Sequence, residues 1–310
     1  MKKLLSYCAL LLVLHVSQKP YLTAQNSTDV IVETNFFKAV RANQVESYIT
    51  FGQGLGNIEP LIFESLIAPY FLIRTSHNAR LGATISPSIL IRMKAEESLP
   101  VRSPSYMPNI TFYRQLNSTF GEMYDASYLF LTLEHHSNGQ DGEFYNENGS
   151  FNTETGNFAT NQIEFGVFIN RNLLPFQNTT EYFRTSVEFY PNIGREEELK
   201  GRYSLLRWNS SLRIFRFPGF KPKPNQHGYF SQPNVQTRIE SAWLFGNINN
   251  VAFFNLRERF NFSATIAYRP KAFRDVSFFL NLYSGRDYYN MQFYRRINTL
   301  RIGLQAFAFK

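Results

Sequence analysis

Apolar and polar residues alternate one by one through much of this 310-residue chain. In "SILIRMKA", Ile89 and Ile91 share one face, while Leu90, Arg92 and Lys94 share the other. "FNFSATIAYRP" sets Phe260, Phe262, Ala264, Ile266 and Tyr268 against Asn261, Ser263, Thr265 and Arg269. "NTLRIGLQAFAFK" does the same with Leu300, Ile302, Leu304 and Ala306 against Thr299, Arg301, Gly303 and Gln305. A period of two predicts strands with two unlike faces. Between them lie stretches such as "SLPVRSPSYMPN" and "NGQDGEFYNENGSFNTETGN", whose Gly, Pro, Asn and Asp mark loops. The one helical candidate, "SYITFGQGLGNIEPLIFESLIAPYFL", is interrupted by Gly and Pro. An all-β, antiparallel chain follows, with room for roughly twelve strands at about 24 residues per strand and connection. Periodicity leaves one question open: the apolar faces meet either lipid outside or a core inside.

The N-terminus narrows that choice. Lys2 and Lys3 precede an apolar run that ends near Ala24, the layout of a secretory signal peptide and too short to span a bilayer. Residues 1–24 are therefore expected to be removed, leaving one domain over 25–310 without a composition break or repeat. The only cysteine, Cys8, lies in the removed segment, so no disulfide framework is expected. Later runs fall short of the roughly 20 apolar residues of a membrane helix, but a barrel strand needs only about 10 alternating ones. Export, 16% aromatic residues and the loss of cysteine point together to a bacterial outer-membrane, transmembrane β-barrel. A soluble secreted β protein is the alternative. The +8 charge is spread without a Lys/Arg block, which argues against nucleic acid and fits anionic lipid headgroups only loosely.

Candidate chemistry appears at "YLFLTLEHHS". Its odd positions, Leu129, Leu131, Leu133, His135 and Ser137, share the apolar face. Glu134 and His136 fall on the other face. The next strand, "TNQIEFGVFIN", starts its own apolar face at Asn161 and continues it through Ile163, Phe165, Val167 and Ile169. If the two strands are antiparallel neighbours, His135, Ser137 and Asn161 meet at one rim. Each has a bland reading as a girdle, turn or strand-start residue. Together, three polar groups in an apolar register cost burial energy unless paired or functional. A Ser–His–Asn set could work as a nucleophilic triad, with the serine activated by histidine and the ring oriented by asparagine. His77 and His227 lie in loops without an evident partner.

These residues resemble the bacterial outer-membrane phospholipase A family, through the His-x-Ser-Asn-Gly motif in "EHHSNGQDG". "SPSYMPNITF", "TNQIEF" and "LYSGRDYYNMQF" are similar to further family segments in the same order. The resemblance implies a twelve-stranded barrel with Ser137 as nucleophile, His135 as base, Asn161 as its orienter and the Gly139 N–H in the oxyanion hole. It also implies calcium, held by Gln140 through its carbonyl, Asn157 and, across a homodimer, Ser103 of the Ser-Pro segment. Glu196 matches an acidic position of a second calcium site. The triad would then face outer-leaflet lipid and hydrolyse phospholipid acyl esters. Two rivals remain: a lipid A deacylase, whose family glutamate has no match at Gly149, and a non-catalytic porin-like barrel.

Overall fold

The computed structural model describes residues 35–52, 54–97, 101–116, 126–170, 174–176, 179–217 and 233–306. The expected signal peptide, its Cys8 and His227 lie outside these residues. The chain opens with a short helix, α1 (Asn35–Ala42), and continues as β1 (Tyr48–Thr50), β2 (Leu55–Gly56), β3 (Leu61–Ile67), β4 (Phe71–Ile73), β5 (Leu81–Lys94) and β6 (Ser105–Gln115). Then come β7 (Tyr128–Ser137), β8 (Ala159–Asn170), β9 (Thr179–Phe189), β10 (Leu206–Arg216) and β11 (Val235–Phe245). A single helical turn, α2 (Leu256–Arg259), leads into β12 (Phe260–Tyr268), β13 (Val276–Arg286) and β14 (Arg296–Ala306).

Every pairing between these strands is antiparallel, and β1 joins both β3 and β14, so the sheet closes on itself. Four of the pieces are halves of two interrupted strands. β1 and β2 both lie along β14. β3 and β4 both lie along β5, separated by Ala68, Pro69 and Tyr70, where Pro69 has no N–H for the ladder. Counting each pair of halves once leaves a closed barrel of twelve strands. Closure matters here because an open edge would leave backbone groups unsatisfied in lipid. The stretch with the one helical reading, residues 47–72, is thus broken strand rather than helix.

The structure answers the question that periodicity left open. Along β7 and β8 the outward residues are large and apolar: Leu133 is 40% exposed and Phe165 56%. The inward positions include buried polar residues, among them Thr132, His136, Thr160 and Glu164. A soluble barrel would reverse this arrangement, so the apolar band fits lipid. No helix among the described residues is long and apolar enough to cross a membrane.

Among the described residues, the lumen holds ionic and aromatic side chains. Arg92 is fully buried, its Nε 2.7 Å from Glu64 and both terminal nitrogens 2.8 Å from the Asp287 carboxylate. Arg301 also reaches Glu64, and Tyr48 and Tyr288 donate to the same carboxylate. Apolar clusters lie toward the two ends of the barrel. At the end away from the candidate site, Phe36, Phe37 and Val40 of α1 pack on Tyr113, Tyr128, Phe130 and Phe215. The 36, 37, 40 spacing makes one helical face, and the lumen aromatics supply its partner. Just beyond α1, Glu46 is bound by Arg213 at 3.0 Å, Arg238 at 2.7 Å and Gln236 at 2.7 Å. At the other mouth, Phe144, Phe158, Leu199, Met291 and Phe293 form a second core beneath the loops that carry the candidate site.

Candidate active site on the outer wall

β7 and β8 are neighbours, and their register sets His135 directly opposite Asn161 and Ser137 opposite Ala159. All three candidate side chains point outward. His135 Nδ1 lies 2.8 Å from Asn161 Oδ1. Asn161 Nδ2 donates to the carbonyl of Ile193 at 2.6 Å. Because that carbonyl can only accept, the carboxamide must offer Nδ2 to it and Oδ1 to His135. The ring is thereby a donor at Nδ1, which leaves the Nε2 lone pair as the basic site.

Ser137 is half-buried on the same face, two residues along from His135. Its Oγ makes no hydrogen bond among the described residues. His135 and Asn161 are therefore joined, while Ser137 stands beside them unengaged. Catalytic hydrogen bonds are often loose before substrate binds.

Gly139 has φ +67°, a left-handed conformation that favours glycine. Its N–H has no acceptor among the described residues, and the Tyr106 ring lies 3.4 Å from where a Cβ would sit. Tyr106 is itself paired in register with Ser137 and is 39% exposed. The intervening Asn138 is a clamp that sequence reasoning passed over. Its Nδ2 donates to the Gly156 carbonyl at 2.8 Å, and its Oδ1 accepts from the N–H of Phe158 at 3.0 Å. That buried carboxamide ties the serine end of β7 to the entry of β8. The Asn-Gly pair signals a turn, but only the fold shows what the asparagine holds.

The four residues expected around calcium are partly gathered. Asn157 Nδ2 donates to Glu196 Oε1 at 2.9 Å. Residues 140–142 run beside them, since the Asn157 N–H donates to the Gly142 carbonyl at 2.9 Å. Ser103 stands at the far side of the same loop, with its Oγ donating to the Glu154 carbonyl of its own chain at 3.1 Å. Glu196 is held above the usual carboxylate range by partial burial and by Glu198, against the donor from Asn157. One carboxylate, one carboxamide and nearby loop carbonyls are all hard oxygen donors, the chemistry that Ca²⁺ takes. No cluster of three or more His, Cys, Asp or Glu side chains suited to a metal occurs among the described residues.

The other titratable groups fall where parity put them, with one exception. His136 faces the lumen, buried against the Phe158 ring at 4.9 Å, and its Nε2 has no protein partner among the described residues. It lines an inner cavity of about 250 Å³ together with Glu134, Glu188 and Arg207. That cavity lies across the sheet from the outer-wall set. Glu164 is also in the lumen, bound by Arg184 and by Ser186. His77, expected to stand alone, is instead paired with Arg74 at 3.1 Å.

No family model matches the chain, and no curated protein matches it. Solved structures do resemble it. Outer membrane phospholipase A from Escherichia coli superposes with a TM-score of 0.55 at 11% identity, covering 89% of this chain and 98% of that one. An active-site variant of the same Escherichia coli protein, with an asparagine changed to alanine, has a TM-score of 0.55 at 10% identity over the same shares. A calcium-bound dimer of the outer membrane phospholipase from Salmonella typhi has a TM-score of 0.53 at 11% identity, again covering 89% and 98%. At such identities the likeness establishes the fold: a twelve-stranded barrel of the kind found in outer membranes.

Proposed function

We infer that this chain is an outer-membrane phospholipase that hydrolyses the acyl esters of phospholipids with calcium. The single observation that carries this reading is the 2.8 Å His135–Asn161 pair on the lipid-facing wall, beside Ser137 in the same register. The similar structures support it, since one is an asparagine active-site variant and another a calcium-bound dimer.

In the reaction, His135 Nε2 takes the Ser137 proton as Oγ adds to the ester carbonyl. The Gly139 N–H faces the oxyanion. The imidazolium, held by Asn161, returns its proton to the leaving lysophospholipid oxygen. Water, activated by the same ring, then releases the fatty acid from the acyl-serine. Asn157, Glu196 and the Gln140 carbonyl would hold calcium, which supplies positive charge near the developing oxyanion. Ser103 would serve a partner chain in a homodimer along this wall.

Ser137→Ala is expected to lower phospholipid hydrolysis by at least about 10³-fold, while the heat-modifiable gel mobility of the folded barrel stays unchanged. The parent activity should require calcium and vanish with a chelator. Hydrolysis that survives Ser137→Ala would sink the triad, and activity on lipid A but not on phospholipid would favour the deacylase.

A further inference from the structure

We propose that the turn at Ile193 and Gly194, between β9 and β10, is a positioning element that fixes the carboxamide of Asn161 and, through it, the tautomer of His135. Its catalytic consequence rests on the phospholipase reading; the positioning itself does not.

An asparagine opposite a histidine does not by itself orient the ring. A carboxamide presents oxygen on one side and NH₂ on the other, and the two differ little in shape. With Nδ2 toward the ring, His135 would have to accept at Nδ1, and its proton would sit on Nε2, the nitrogen that must receive the serine proton. Something outside the pair must exclude that flip. The Ile193 carbonyl does so: 2.6 Å from Nδ2, it tolerates only a donor there.

The turn is built to hold that carbonyl in place. Gly194 has φ +64°, and a Cβ there would stand 2.7 Å from Asn161 Nδ2. Glycine thus satisfies two demands at once, a left-handed turn and a close approach to the side chain it orients. Next to it, the buried Arg195 guanidinium donates to the Leu199 carbonyl at 2.5 Å and the Tyr203 carbonyl at 3.0 Å, pinning the turn to its own loop. The Glu196 N–H then donates to the Ala159 carbonyl at 3.1 Å, two residues from Asn161 along β8. The loop is therefore anchored just past the contact, both to itself and to β8. Ile193 points away, 70% exposed, so its carbonyl rather than its side chain is what the site uses.

The test uses the mature protein refolded in detergent micelles, with Gly194→Ala, Asn161→Ala and the double variant. Side-chain ¹⁵N spectra of the histidines read the tautomer, and dispersed phospholipid with calcium gives kcat and KM. In the parent, His135 should carry its proton on Nδ1; Gly194→Ala should convert this to a mixture. The same change should lower kcat by about 10²-fold, as for a misplaced catalytic group, and leave KM within about twofold. Added to Asn161→Ala it should have no further effect, because both act through one contact. A general loosening of the loop would instead lower activity additively, and additivity or an unchanged tautomer would overturn the proposal. Should Gly194→Ala not reach the heat-modifiable form, the parent's Asn161 side-chain amide decides: its Nδ2 protons should be protected from exchange by the Ile193 carbonyl, and free exchange would refute the role. A parent protein inactive on phospholipid defeats the proposed function alone, since the tautomer spectra still decide the positioning.

Discussion

His135 and His136 are chemically the same group, adjacent in sequence, and the sheet gives them opposite surroundings. His135 is on the outer wall, exposed, with its Nδ1 engaged by Asn161. His136 is in the lumen, buried beside Phe158, with no protein partner for its Nε2 among the described residues. The polar side chains around them follow the same division. On the outer wall, a few polar groups interrupt an apolar band and are arranged around one another. In the lumen, Arg92, Glu64, Asp287 and Arg301 form a continuous ionic network. A polar residue in the lumen is therefore ordinary and structural, whereas one in the lipid register is unusual enough to imply a role.

The sharpest break in this comparison is to exchange the histidines' fates. His135→Ala is expected to remove at least about 10³-fold of the hydrolysis without altering the folded barrel, measured by phospholipid turnover and gel mobility. A large effect is also expected in the lumen, but on stability. Arg92→Met leaves Asp287 and part of Glu64 without their cation, and breaking such a buried pair costs about 3–5 kcal/mol. Urea unfolding followed by tryptophan fluorescence would read it, and the midpoint should fall while turnover per folded molecule persists.

A smaller effect concerns Glu46, at the lumen mouth beside α1. Burial alone would raise its pKa, but Arg213 and Arg238 outweigh that and hold the carboxyl below its ordinary range. A carboxylate lowered in the fold contributes stability above its unfolded pKa and loses it as pH falls through the folded one. The parent barrel should therefore lose stability in acid, and Glu46→Gln should flatten that dependence. Unfolding midpoints measured across the acid range would check it. Smallest of all is His136→Gln, which should change turnover by less than about twofold, as expected for a lumen residue away from the reacting atoms. A catalytic loss there would erase the distinction between the two faces.

Much of this was legible before the fold was known, for a local reason. Strand side chains alternate with a period of two whatever the tertiary structure, so "YLFLTLEHHS" alone separates His135 and Ser137 from Glu134 and His136. Asn161 is readable in the same way, as a polar residue in the outward register of its strand. Its position opposite His135 is not, because register depends on how the loop 138–158 folds back, and the Asn138 clamp forms only when Gly156 and Phe158 arrive. Helix α1 was missed as well. "NFFKAVRA" is too short to be stable alone and forms a helix against aromatics drawn from four distant strands.

By itself, then, the sequence determined the strand faces, the absence of helical spans and which polar residues interrupt the apolar register. These depend on neighbouring residues and on the geometry of an extended chain. Only the tertiary structure decided that the apolar face looks outward, that twelve strands close through β1 and β14, and that the Ile193 carbonyl meets Asn161. Each of these joins groups far apart in the chain, and their distances are set when the barrel closes.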